Sequence, residues 1–290
     1  MDIAPQLITN GLIAGALYAL MALGFTLTFR TTKFFNIAHG IYIPIGAYMF
    51  YVLVELVGLN LSLGILLSIL FCGLVGWSLD KLVFLPLRRK KASGLILMVA
   101  SVGIYVATQA LVAILFTSQF RTIDLAALRS GLTIAGAHIT YVQLLALAAA
   151  VLILVALLLL NKTRFGRAAR AISDNPDLAR ISGINIERVN GQLFFIGSAI
   201  AGLVGVVVGL DTGLEPTMGF SLMLKGIIAT VLGGSAGFVG SLLGGLALGQ
   251  LESIATWFVA GIWKDAIAFV VLIGYLVLRP LRGGGQGGGR

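Results

Sequence analysis

Long apolar stretches separated by short polar connections make up most of this chain. Seven of the stretches are as long as a membrane-spanning helix, at about residues 10–29, 38–57, 61–83, 94–116, 139–160, 193–210 and 262–281. A hydrocarbon core about 30 Å thick needs about 20 residues of helix, and lipid leaves no water to pair an open backbone. The pattern predicts an all-α fold, a polytopic membrane helix bundle of about 7–8 transmembrane helices.

An eighth apolar stretch, residues 222–251, is crowded with glycine. The run Gly233–Gly237 could break it into two half-helices, which predicts a re-entrant hairpin that starts and ends on one face of the membrane. Broken backbone at membrane depth is stable only where it is buried in protein or lines a cavity. The alternative is one straight helix made flexible by its glycines.

Glycines four residues apart recur in these stretches. Two glycines on one helical face let neighbouring backbones approach closely, so the spacing predicts tight helix packing and says nothing about substrate. The pairs are Gly11/Gly15, Gly205/Gly209, Gly240/Gly244 and Gly245/Gly249.

Composition agrees with a membrane protein and bounds its organisation. Hydrophobic residues make up 59% of the chain, charged residues 11%, and the mean hydropathy is +1.04, which is outside the range of soluble domains. The single cysteine, Cys72, excludes an intrachain disulfide. Residues 1–282 are expected to form one transmembrane domain, and residues 283–290 a flexible glycine-rich tail.

The positive charges orient the chain. If Met1 is outside, sixteen of the twenty Lys and Arg residues fall in the predicted inner segments 30–33, 81–91 and 162–188 and in the tail. Cytoplasmic loops are enriched in Lys and Arg, so this bias predicts an external N-terminus. A re-entrant hairpin at residues 222–251 then returns the tail to the cytoplasmic side.

The longest polar insert, residues 161–190, has its own helix signals. Asp174 or Asn175 can cap a short helix, Pro176 suits its first position and Gly183 suits its C-terminal cap. Arg164–Ala171 is expected to end the preceding span as a cationic turn. The insert therefore predicts a short helix across the inner face, the alternative being an ordinary amphipathic interface helix.

A second polar feature lies at the start of the second span, in the segment Phe34–Gly40. Asn36 suits the N-cap of this helix and leaves His39 and Gly40 in its first turn. Polar residues just inside a membrane are functional candidates. The alternative is that His39 only bonds a neighbouring helix.

A set of ordered motifs extends over nearly the whole chain. They are Asn10-Gly11-Leu12, Gly15, Tyr18-Ala19-Leu20, Ala22-Leu23-Gly24, Asn36-Ile37-Ala38-His39-Gly40, Gly46-Ala47-Tyr48, Gly166-Arg167-Ala168-Ala169-Arg170-Ala171, Asn175, Ala179, Gly183-Ile184, Gly226, Val231-Leu232-Gly233-Gly234, Gly244-Gly245, Gly249 and Glu252. Together these motifs resemble the permeases of branched-chain amino acid ABC importers, most closely the leucine/isoleucine/valine-type H subunit. Ile41 departs from the family pattern, which often has Glu after His-Gly, so no role of that acid is carried over.

The resemblance implies a multi-subunit importer in the bacterial plasma membrane. Its partners would be a second homologous permease or a second copy of this chain, two cytoplasmic ABC ATPases, and a periplasmic or lipid-anchored binding protein. ATP and Mg²⁺ would bind the partner subunits, and this chain itself has no G-x-x-x-x-G-K-[ST] phosphate loop. The coupling residues would be Arg167, Arg170, Asp174, Asn175, Pro176, Ala179, Gly183 and Ile184, and the translocation path would include Asn36, His39, Gly40, Gly233 and Gly234.

Other functions stay open at this point. Permeases for urea, short amides and other neutral amino acids share much of the pattern. A secondary transporter would need acids or a cation site inside the membrane, whereas Glu55, Asp211, Glu215 and Glu252 lie near predicted helix ends. A channel would need a polar ring, and an enzyme a cluster of reactive groups. The sequence favours a transport subunit over both.

Overall fold

The computed structural model describes residues 3–123, 130–134, 136–234 and 237–278. Within them the fold is all-helical apart from one small β-hairpin, which confirms the predicted class. The elements in chain order are α1 (Ile3–Thr32), α2 (Ile37–Leu56), α3 (Leu61–Arg89), α4 (Gly94–Phe116), β1 (Gly131–Ile134), β2 (Ala137–Thr140), α5 (Tyr141–Lys162), α6 (Arg164–Asp174), α7 (Pro176–Ile181), α8 (Ile186–Asp211), α9 (Gly219–Leu232), α10 (Phe238–Phe258) and α11 (Gly261–Leu278).

Eight of these helices are long and apolar enough to cross a membrane: α1 to α5, α8, α10 and α11. α3 continues to Arg89, beyond the predicted end at residue 83, because its charged residues pair within the helix. Asp80 is fully buried in a π-helical turn and accepts a hydrogen bond from Arg88 at 2.5 Å. The predicted tail, residues 283–290, lies outside the described residues.

Two helices form the centre of the bundle. We compare the most apolar 18-residue segment of each helix. In α1 and in α8, 78% of this segment is buried inside the protein, against 22% in α4 and 6% in α11. A helix that is apolar on all sides is stable where protein or lipid surrounds it completely. The core therefore forms around α1 and α8, and the outer helices have apolar faces on the outside of the bundle.

The glycine faces pack as their spacing predicts. A Cβ atom on Gly245 would lie 2.5 Å from the backbone nitrogen of Ala19, and one on Gly15 would lie 2.8 Å from Leu246 Cα. α1 and α10 are therefore in backbone contact. Contacts at the two ends show that these helices run antiparallel. The Ser253 hydroxyl near the end of α10 donates to the Leu7 carbonyl near the start of α1, and the Phe238 ring at the start of α10 lies 5.6 Å from the Arg30 guanidinium near the end of α1.

The glycine-rich stretch breaks where predicted but not into two half-helices. α9 ends at Leu232 and α10 begins at Phe238, so the alternative of one straight helix is wrong. Gly234 adopts a φ of +85°, which favours glycine. α9 has 14 residues and is about 21 Å long, whereas α10 has 21 residues and follows α1 over most of its length. A re-entrant arrangement in the membrane stays a prediction.

The two ends of the bundle differ in charge. At one end, called the basic end, Arg30 and Lys33 close α1, Arg89 pairs with Glu187 at 2.7 Å, and the segment 162–188 folds over the helices. Lys33 Nζ reaches Ser173 of that segment at 3.5 Å. The opposite end carries the β-hairpin, whose residue His138 exchanges hydrogen bonds with the Gln6 side chain. The predicted inner segments 30–33, 81–91 and 162–188 thus share one end.

Candidate functional site

The polar insert at the basic end starts with a sharp reversal of the chain. The cationic stretch from Arg164 does not continue the preceding span, as the sequence suggested, but forms the separate helix α6. Thr163 separates the two helices in an extended conformation and accepts a hydrogen bond from Gly166 N at 3.2 Å. A Cβ atom on Gly166 would lie 2.5 Å from Asn161 Cα, so glycine lets α6 fold back on the end of α5.

Two predicted coupling residues hold this reversal in place. Arg170 donates to the Asn161 carbonyl at 2.7 Å, and Arg167 donates to the Lys162 carbonyl at 2.9 Å. These carbonyls belong to the last turn of α5. The carbonyl groups of a last turn have no hydrogen-bond donors within their own helix and carry partial negative charge. The guanidinium groups therefore fasten α6 to α5.

The short helix α7 follows its predicted caps. Asn175 Oδ1 accepts hydrogen bonds from the backbone nitrogens of Asp177 and Leu178, at 3.0 and 3.1 Å, and Pro176 is the first residue. Asp174, the alternative cap, is instead the last residue of α6.

The end of α7 also follows its predicted signal. Gly183 adopts a φ of +81°, and Ile184 N donates to the Ala179 carbonyl at 3.0 Å. This is the bond pattern of a helix that ends in a left-handed glycine.

α7 is buried on one side and exposed on the other. Ala179 is 3% exposed and packs against the bundle, whereas Leu178 is 61% and Ile181 83% exposed. Asp177 and Arg180 flank this apolar pair with side chains that are largely exposed. An apolar pair with charged neighbours at the polar end of a membrane protein suits contact with a protein partner.

The polar residues at the start of α2 are buried inside the bundle. Asn36 occupies the N-cap position, but its side chain makes no capping bond; Ile37 N donates instead to Ser101 Oγ of α4, at 2.9 Å. His39 lies against the rings of Phe25 and Tyr42. Neither the Asn36 amide nor His39 Nε2 has a hydrogen-bond partner among the described residues.

Gly40 and the glycine turn lie in different places. A Cβ atom on Gly40 would lie 3.1 Å from the Gly219 carbonyl oxygen, so α2 and the start of α9 are in close contact. Gly233 instead packs on Gly240, and Phe238 at the start of α10 lies against Arg30 at the basic end. The structure therefore joins Asn36, His39 and Gly40 into one region and keeps the glycine turn apart.

Sequence comparison identifies the family of this chain. A family model described as "Branched-chain amino acid transport system / permease component" matches residues 7–276. The chain belongs to this permease family. The high-affinity branched-chain amino acid transport system permease proteins LivH of Salmonella typhimurium and of Escherichia coli are each 31% identical over 291 residues, 95% of this chain and 93% of theirs. BraD of Pseudomonas aeruginosa is 30% identical over 95% of this chain and 94% of its own.

The permease fold also occurs in a solved structure. PsaBC from Streptococcus pneumoniae, in complex with Fab, matches with a TM-score of 0.51 at 16% identity, over 97% of this chain and 93% of that one. This likeness concerns the fold alone. Family membership makes the chain a multi-pass transport subunit of an ABC system and not its ATPase.

The permease also contains a buried ionic cluster that the sequence analysis missed. Lys225 lies outside the predicted inner segments and Glu252 was expected near a helix end, yet their side chains are 8% and 2% exposed. Lys225 Nζ lies 3.3 Å from Glu252 Oε1 and 3.0 Å from Asp265 Oδ1, and the Tyr18 hydroxyl donates to Glu252 Oε2 at 2.6 Å. The cluster joins α1, α9, α10 and α11.

Acidic groups therefore do occur within helices that could span the membrane, contrary to the expectation from sequence. One feature of the sequence could have revealed the cluster. Lys225 interrupts an apolar stretch, between Leu224 and Gly226, and an acidic residue lies on the following helix. An ionisable residue inside a membrane is costly unless it is paired. Lys225 therefore required a partner, which the helix hairpin supplies.

Proposed function

We propose that this permease subunit moves branched-chain or related neutral amino acids through an ATP-driven importer, and that α6 and α7 couple it to the ATPases. Two cytoplasmic ATPases would bind and hydrolyse ATP with Mg²⁺. A second homologous permease or a second copy of this chain would complete the membrane part, and an extracytoplasmic binding protein would deliver substrate.

The observation that carries the coupling role is the position of α7. It is a firmly capped helix that buries Ala179 and presents Leu178 and Ile181 outward from the basic end. A partner that covers these two side chains would remove a large apolar area from water, which stabilises association.

The insert is also connected to the helices that must move. α6 borders a small cavity whose other walls come from α1, α5, α8 and α10, with Arg30, Phe165, Arg170 and Phe238 among the lining residues. A displacement of α6 would therefore reach both α1 and the start of α10. We infer that closure of the ATPases shifts this contact and switches the bundle between its inward- and outward-facing states.

We assign the basic end to the cytoplasmic face of the bacterial inner membrane. It holds the segments 30–33, 81–91 and 162–188, which carry most of the positive charge. Cytoplasmic loops show this enrichment, so the N-terminus and the β-hairpin would lie outside. The ATPases would then meet α7 from below.

Substrate uptake tests the function. The permease is reconstituted in proteoliposomes with its partner subunits and binding protein, and ATP-dependent uptake of labelled leucine, glutamine and urea is compared. The proposal expects leucine to accumulate fastest and only with ATP. Preferred uptake of urea would support the alternative of an amide permease, and uptake driven by an ion gradient without ATP would contradict the importer.

A further inference from the structure

An apolar groove on the outside of the bundle lies between α3, α5, α6 and α8, next to the basic end. Its volume is about 570 Å³, within the range of about 300–1,000 Å³ that is typical of small-molecule sites. Such a groove suits an aliphatic chain. Most of its apolar wall comes from Leu74 and Trp77 of α3, Phe165 of α6, and Phe195 and Ile196 of α8, and its polar residue is Gln192 of α8.

The two long helices beside the groove present the same order of side chains. On α3, Lys81 lies one turn beyond Trp77, toward the basic end. On α8, which starts at the basic end, Arg188, Gln192 and Ile196 follow at intervals of four residues and therefore share one face. Each face passes from a cation, through a side chain with a hydrogen-bond donor, into the apolar wall. This is the order of headgroup, glycerol ester and acyl chain in a phospholipid.

The Lys81 side chain lies at the mouth of the groove. A Cβ atom on Gly191 would lie 3.3 Å from the Trp77 ring and 3.5 Å from Lys81 Cε. Both side chains therefore rest on α8, directly beside Gln192, which lines the groove. The Lys81 ammonium is one bond beyond Cε, so its charge is close to the donors of Trp77 and Gln192.

The positive charge at this mouth has no close counter-ion within the part of the chain that the structure describes. Glu187 accepts hydrogen bonds from two nitrogens of Arg89, at 2.9 and 2.7 Å, and Asp80 is already paired within α3. Both carboxylates act on Lys81 only from beyond the 4.0 Å of an ion pair. Arg188 is exposed and likewise forms no ion pair there. An anionic group would complement this charge.

Two hydrogen-bond donors lie between the cations and the apolar wall. The Gln192 amide and the Trp77 indole N–H make no hydrogen bond to any described residue, and both side chains are exposed. Gln192 is the seventh residue of α8, about 9 Å from its start. Tryptophan is enriched at the depth of the lipid headgroups, where such donors find partners.

We propose that this groove binds one anionic phospholipid. The phosphate contacts Lys81 and Arg188, a glycerol ester carbonyl accepts from Gln192, and an acyl chain lies along the apolar wall. Basic pockets between helices at the cytoplasmic face suit such headgroups. Because Phe165 belongs to α6, the bound lipid also holds the polar insert against the bundle. The inference goes beyond the proposed function and does not depend on the transported substrate.

Fluorescence quenching tests the site on the full chain. Trp257→Phe/Trp263→Phe leaves Trp77 as the single tryptophan. The purified protein in detergent is titrated with phosphatidylglycerol that has brominated acyl chains, which quench a tryptophan in contact with them, and with phosphatidylcholine that has the same chains. Lys81→Gln/Arg188→Gln is then compared with the control Lys90→Gln/Lys91→Gln, which removes two exposed charges at the same end, outside the groove.

The proposal expects saturable quenching by phosphatidylglycerol at concentrations at least about tenfold lower than by phosphatidylcholine. Lys81→Gln/Arg188→Gln should abolish this preference and leave quenching by phosphatidylcholine unchanged, whereas the control variant keeps the preference. Equal losses in the two variants would show general attraction to a basic surface and overturn the site. Equal quenching by the two lipids, or quenching that does not saturate, would overturn it as well.

Lipid retention tests the same site in the assembled complex. The complex is purified after exchange into tritiated phosphatidylglycerol, and the retained lipid is counted. The proposal expects Lys81→Gln/Arg188→Gln to lose one tightly held lipid per permease subunit relative to Lys90→Gln/Lys91→Gln. Equal retention by the two variants would show that a partner subunit covers the groove, which would overturn the lipid site.

Discussion

Removal of the Lys225 ammonium should destabilise the permease, because it leaves a buried carboxylate without its cation. In Lys225→Met, Glu252 keeps the Tyr18 hydroxyl but loses a partner 3.3 Å away in a site where its side chain is 2% exposed. Methionine fills most of the space of the lysine stem, so the change is mainly one of charge.

The expected loss of stability depends on how exposed each of the two carboxylates is. Breaking a buried ion pair by removing one partner costs about 3–5 kcal/mol. The loss at Asp265 adds little, since that side chain is 61% exposed and can be solvated. At about 2–4 °C per kcal/mol, the melting temperature should fall by about 10 °C.

The assay is thermal unfolding of purified protein in detergent, with the double variant Lys225→Met/Glu252→Gln as control. The double variant removes both buried charges, and the glutamine carbonyl can still accept from Tyr18. It should recover most of the lost stability. A melting temperature unchanged by Lys225→Met, or a double variant as unstable as the single one, would refute the buried cluster.

Further predictions concern packing and orientation. Gly245→Val should prevent close packing of α1 and α10, because the Cβ atom of residue 245 would lie 2.5 Å from Ala19 N. We expect little folded protein in size-exclusion chromatography in detergent, and a normal yield would contradict the backbone contact. Cysteines at exposed Thr212 and Val259 should both react with an impermeant maleimide from outside, against a low background because Cys72 is buried. Labelling from opposite faces would contradict the paired arrangement of α9 and α10.

Local signals in the sequence predicted the parts of the structure that depend on neighbouring residues. Asn175, Pro176 and Gly183 fix α7 because capping and left-handed turns are determined within a few residues. The break at Gly233–Gly237 and the glycine faces were visible for the same reason, since spacing within one helix shows which side can approach another.

Long-range pairing was not accessible in this way. Asn36 has the residue type and position of an N-cap, yet Ser101 of another helix bonds the first turn instead. Lys225 lies within the predicted hairpin 222–251, but its position in the sequence did not show that folding places it beside Glu252 and Asp265. A single threonine such as Thr163 does not show from sequence that α6 turns back on α5. The reversal depends on the close approach of Gly166 to the backbone of Asn161.

The central claim, that α7 transmits the action of the ATPases, is tested most directly by substrate-stimulated ATP hydrolysis in the assembled complex with Ile181→Asp. Burial of an isoleucine side chain contributes about 1.5–3 kcal/mol, and Ile181 is 83% exposed in the permease alone, so its contact with a partner is available to be lost. We predict at least about tenfold lower ATPase affinity and loss of stimulation, whereas Ile181→Leu retains both. Full stimulation in Ile181→Asp would contradict the account.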